Sequence, residues 1–129
     1  MISSEDDSAG ADLPLFCNPD QAEKRQPANF ASLGLLANRG IAFEGLYDWD
    51  SAAATYSLSI EKSQALGYDE PYVLNSRGNC YASLGKWELA LADYESATKA
   101  FQTMRNLSGM IYADSNHALV LAEIGRRAA

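Results

Sequence analysis

Residues 38–63, NRGIAFEGLYDWDSAAATYSLSIEKS, align without a gap with residues 76–101, SRGNCYASLGKWELALADYESATKAF, at an offset of 38. Arg39 is matched by Arg77, Gly40 by Gly78, Phe43 by Tyr81, Leu46 by Leu84, Trp49 by Trp87, Ala52 by Ala90 and Tyr56 by Tyr94. Both tryptophans of the chain fall into this one register. A period of this length marks one supersecondary unit stacked on its copy.

Within each unit the apolar spacing is helical. Leu36, Gly40, Phe43 and Leu46, then Leu74, Gly78, Tyr81 and Leu84, recur three or four residues apart, which puts each set on one helix face. Trp49, Ala52, Tyr56 and Ile60, then Trp87, Ala90, Tyr94 and Thr98, make a second stripe. Glycine inside a helix costs about 1 kcal/mol relative to alanine. Two glycines at the same repeat position therefore imply that a second helix approaches closely there, with alanines facing the glycines. Each unit reads as a helical hairpin, and both tryptophans are expected to be buried at equivalent positions.

Turn residues agree with this. Asp48 and Asp50 sit where a helix start gains from a cap and from charge on its dipole. Gly67 suits a left-handed helix end, Pro71 the first turn of the next helix, and Gly85 the break between the second unit's helices. Expected helices span about 30–46, 49–66, 71–84, 87–105 and 109–125.

The stretch LNSRGNCYASLGKWELALADYESA resembles the tetratricopeptide repeat family: glycine, aromatic, leucine-glycine, alanine, aromatic and alanine follow in the family's order. The first unit carries a weaker version, with Tyr47 at the usual glycine and Ser59 at the usual alanine. Arg39 and Arg77 stand where leucine is commonest. The resemblance implies an all-α solenoid of two helical-hairpin repeats, about 33–70 and 71–108. Ala118, Leu121, Ile124 and Gly125 match Gly78, Tyr81, Leu84 and Gly85 at an offset of 40. They imply a lone C-terminal capping helix, about 109–125, covering the last repeat. Residues 30–129 would form this solenoid and residues 1–29 an extended N-terminal arm.

The arm holds six acids and two bases with three prolines and no helical or strand period. Such a segment cannot order itself alone. Its apolar cluster, Leu13, Leu15 and Phe16 around Pro14, is the candidate anchor, either on the solenoid itself or on a partner. The whole chain has a net charge of −7, which argues against nucleic-acid binding, since that requires a basic footprint on phosphates. With 47% hydrophobic and 21% charged residues the composition suits a packed, water-facing domain. No apolar run reaches the roughly eighteen residues a membrane span needs, and the first residues do not read as a signal peptide.

No motif of catalysis, phosphate binding or metal ligation occurs. Cys17 and Cys80 have no metal spacing and are expected as free thiols; His117 is expected as a surface or packing side chain. The expectation is a non-enzymatic chain without cofactor or metal that binds one or more proteins. In repeat solenoids the first helix of each hairpin lines the concave groove. Its outward positions here include Asn38, Ile41 and Glu44, then Tyr72, Asn75 and Asn79. With Leu13, Leu15 and Phe16 these are the candidate partner-binding residues. Chaperone-binding family members need basic residues beside groove asparagines to clamp a carboxylate, and no lysine lies on these helices. The quoted repeat strings are also similar to short repeat proteins of plant and algal chloroplasts. That likeness implies an accessory or assembly subunit of a photosynthetic complex in the plastid. A cytosolic peptide-binding adaptor is the alternative, and a regulatory platform of an enzyme comes last.

Overall fold

The structure, a computed structural model, describes residues 30–128. They form five helices: α1 (Phe30–Gly45), α2 (Trp49–Ala65), α3 (Pro71–Ser83), α4 (Trp87–Thr103) and α5 (Leu107–Ala128). No strand occurs among the described residues. Each helix packs on the one that follows it, and α3 also reaches α5. The arm, with Leu13, Leu15, Phe16 and Cys17, lies outside the described residues.

Four helices stop in the same way. After α1 the amide of Tyr47 donates to the carbonyl of Glu44, and that of Asp48 to Phe43, both at 2.9 Å. Gly67 and Tyr68 repeat the pattern after α2, Gly85 and Lys86 after α3, and Arg105 and Asn106 after α4. Such paired bonds satisfy the last carbonyls and require a left-handed residue just past the helix. It is Gly67 (φ 84°) and Gly85 (φ 76°) as the sequence suggests, but Tyr47 (φ 59°) and Arg105 (φ 57°) fill the other two places. Helix starts are equally local. The Asp48 carboxylate accepts from the Ser51 amide at 3.2 Å, Pro71 opens α3, and the Asn106 side chain accepts from the Gly109 amide at 2.9 Å.

Each repeat glycine is covered by an aromatic ring rather than by an alanine. A Cβ built on Gly78 would lie 2.7 Å from Tyr94 Cε1, and one on Gly40 would collide with Tyr56. Tyr56 and Tyr94 occupy the same register, so the two hairpins close by one device. Each ring is fully buried, which stabilises by roughly 1.5–3 kcal/mol. Ala52, Ala90 and Ala97 fill in beside the rings.

The tryptophans depart from expectation. Trp49 and Trp87 are half-buried, each at the first position of its helix and at the margin of a core cluster. Each follows directly on the three-residue turn of its hairpin. Tyr47 meets Trp49 edge-on at 5.8 Å, and the Arg127 guanidinium lies 5.4 Å over Trp87.

One contact fixes the register of α5. Arg77 on α3 donates to Ser57 on α2 at 3.0 Å, and His117 on α5 sits 3.3 Å from Glu95 on α4. Ser57 and Glu95 are 38 residues apart, Arg77 and His117 are 40 apart. Thus α5 stands to α4 as α3 stands to α2, at the offset the sequence shows. It nevertheless begins at Leu107, earlier than expected, because only residues 104–106 separate it from α4 where residues 66–70 separate α3 from α2.

Candidate interaction surface

Arg77 ties three helices together. Its Nε and Nη2 donate to the two carboxylate oxygens of Asp93 at 2.8 and 2.6 Å, its Nη1 reaches Ser57, and its plane lies 5.5 Å over the Tyr81 ring. The paired bonds from Asp93 hold the guanidinium above its ordinary pKa, against the opposing effect of burial. Forked pairing of this kind is strong and directional. It also consumes both charges. A groove of about 520 Å3 opens here between α2, α3 and α4, bordered by Leu74, Leu89 and Lys99.

Of the groove residues read from the sequence, Asn38 and Ile41 are exposed on α1. Glu44 accepts from the Tyr56 hydroxyl. Tyr72 is exposed, yet its ring stands edge-on to Phe101 at 4.8 Å and its hydroxyl accepts from the Asn106 side-chain amide at 3.0 Å. Asn79 is half-buried and accepts from the Tyr94 hydroxyl at 2.6 Å. Asn75 is the one clear correction. It is 1% exposed, with its side-chain oxygen accepting from Asn116 on α5 at 3.2 Å, so it presents nothing to a partner within this chain's surface. The physical reason is that α5 packs beside α3 and needs a buried polar partner for Asn116, a demand invisible while α3 is read alone.

What remains open at matching positions is apolar. Tyr72 corresponds to Tyr112, and Ile41 and Asn79 correspond to Leu119, by the offsets of 38 and 40. Tyr72, Ile41, Tyr112 and Leu119 are all exposed. The α5 members were missed because that helix was read as a cover. The sequence signal existed: the same offset of 40 that aligned Ala118 with Gly78 carries the groove positions onto α5. A second exposed set on α5, Leu107, Ile111 and Leu121, has no counterpart among the groove positions.

Among the described residues no three of His, Cys, Asp and Glu stand close enough to hold a metal ion. Burial pushes the Cys80 thiol up to about 12, with the Glu44 charge adding to the effect. It likewise raises Tyr56 and takes Tyr94 to about 12. These shifts suppress ionisation and arise from packing, which is the opposite of an activated nucleophile. No described helix is long and apolar enough to cross a membrane. No family model, curated protein or solved structure matches the chain.

Proposed function

We propose that this chain is a tetratricopeptide-type solenoid that works as a protein-binding subunit, an adaptor or assembly factor within a larger complex. One observation carries the reading. Tyr72 and Tyr112 lie exposed at one corresponding place on the first helices of the second and third units, and Ile41 and Leu119 at another on those of the first and third. Repeat solenoids use such aligned faces as extended binding surfaces. Large apolar side chains kept in water at matched positions mark an interaction surface. The two hairpins closed by one glycine–tyrosine device support the repeat reading.

The occupant of this face is an extended segment or loop of a partner, held by apolar contact and by the Asn38 and Tyr72 polar groups. The plastid complex rests on the sequence likeness alone, with the cytosolic adaptor as its alternative; imaging the tagged native gene product separates them. The binding reading is tested by purifying that product under mild conditions. A partner should co-migrate in fixed proportion, and the double substitution Ile41→Glu with Leu119→Glu should release it while leaving the melting temperature within about 2 °C, since exposed positions contribute little to stability. A chain that runs alone as a monomer from its native source would overturn the proposal.

A further inference from the structure

The tips of the two hairpins are built alike but finished differently. Tyr47 and Gly85 hold the same left-handed position after the first helix of their units, at φ 59° and 76°. Gly85 closes its turn without a side chain, so the Tyr47 ring is not needed to close the other. Tyr47 is 77% exposed and Leu46 75% exposed, whereas Leu84, the counterpart of Leu46, is half-buried. The Tyr47 ring stands edge-on to Trp49, 5.8 Å away and inclined at 65°, so the two rings form two walls of a corner. Asp50, next along the chain, is exposed in the first turn of α2. It enters no hydrogen bond or ion pair among the described residues.

The second hairpin shows what such a corner holds. Trp87, the counterpart of Trp49, lies 5.4 Å beneath the Arg127 guanidinium, and Arg127 Nε donates to the Glu123 carboxylate at 2.8 Å. Ring and carboxylate hold the cation together, and the last turn of α5 brings it there. At the first hairpin no helix does the same. The helix α3 ends at Ser83, the counterpart of Glu123 at the offset of 40, a turn short of the place where α5 carries Arg127. Among the described residues no cation stands over Tyr47 or Trp49. We infer that Tyr47, Trp49 and Asp50 receive an arginine or lysine side chain from a basic segment of a partner protein. The negative faces of the rings attract the cation, the Asp50 carboxylate answers its charge, and the chain's net charge of −7 draws a basic segment towards it.

This inference deepens the binding function proposed above and rests on it. The probe is a short labelled peptide of alternating glycine and arginine, titrated with the full chain by fluorescence anisotropy beside the same peptide with citrulline for arginine. Saturable binding of the arginine peptide and none of the neutral one are expected. Tyr47→Gly should weaken binding about fivefold without lowering the melting temperature, because Gly85 already serves in that conformation. Tyr47→Phe keeps the ring and should bind as the unsubstituted chain does. Asp50→Asn should weaken binding, and Asp69→Asn, an equal loss of charge at another exposed site, should not. Equal binding of the citrulline peptide, a Tyr47→Gly chain that binds unchanged, or Asp69→Asn as damaging as Asp50→Asn overturns the inference. So does binding strengthened by Lys24→Gln with Arg25→Gln, because the chain's own cations then fill the corner. If the native complex survives Tyr47→Gly but not Ile41→Glu with Leu119→Glu, this inference falls and the binding function stands.

Discussion

At the scale of single residues, Gly78 and Tyr94 show how the repeat signature works. Alanine is a better helix former than glycine by about 1 kcal/mol, so propensity alone favours Gly78→Ala. Packing opposes it. The new methyl would lie 2.7 Å from a ring that is buried on all sides and held at its hydroxyl by Asn79, so the ring cannot swing away. Overpacking of this kind costs about 1–3 kcal/mol, and Gly78→Ala should therefore lower stability in denaturant melts. Tyr94→Leu should cost stability alone, by loss of ring contacts and of the bond to Asn79. Combined with Gly78→Ala it should show less than the sum of the two losses, because the methyl then has room. Strictly additive losses would mean that the glycine is there for some reason other than the ring. The repeat glycines were readable in the sequence as points of close approach. Their partner was not, since alanine and tyrosine of the second helix lie one turn apart and both satisfy the same stripe.

Among the elements, the four like-built helix ends separate what sequence can and cannot tell. Gly67 and Gly85 announce left-handed positions because glycine adopts them freely. Tyr47 and Arg105 occupy the same conformation without any such announcement. The bonds from the following amides impose it, at a backbone cost of roughly 1–2 kcal/mol for a side-chain-bearing residue. Arg105→Gly should relieve that strain and raise stability by up to about 1 kcal/mol, less the greater freedom glycine gives the unfolded chain. Gly85→Ala should do the reverse, even though its Cβ would touch nothing within 4 Å. Thermal melts of the two variants should move in opposite directions; movement in the same direction would refute strain as the cause. The five helices themselves were legible to within a few residues, from periodicity and from Asp48, Pro71 and Gly85. The start of α5 was not, because its cap, Asn106, resembles any polar loop residue until Gly109 is seen bonded to it.

For the molecule as a whole, legibility fell with distance along the chain. Contacts within one hairpin repeat at a fixed offset and could be read twice. The seam between α3 and α5, where Asn116 meets Asn75, occurs once and has no second copy to reveal it. Groove positions inferred from one helix therefore missed the burial that the next helix imposes. The core of the hairpins buries three ionisable side chains, and they tie folding to alkaline pH. Cys80, Tyr56 and Tyr94 all have pKa values raised by burial, Cys80 from 9.0 and Tyr94 from 10.0, each to about 12. The folded state thus keeps its protons while the unfolded chain gives them up, so stability falls wherever the unfolded state alone ionises. The contribution is fully present below pH 9 and is lost progressively as pH rises from there towards 12. Melting temperature should be level between about pH 7 and 8.5 and then decline, first through Cys80 and above pH 10 through the two tyrosines as well. Cys80→Ala removes the earliest part of the decline and should move its onset towards pH 10, despite lowering stability at neutral pH by the lost contacts. If the onset stays near pH 9 in that variant, the buried thiol is not the group whose ionisation opens the fold.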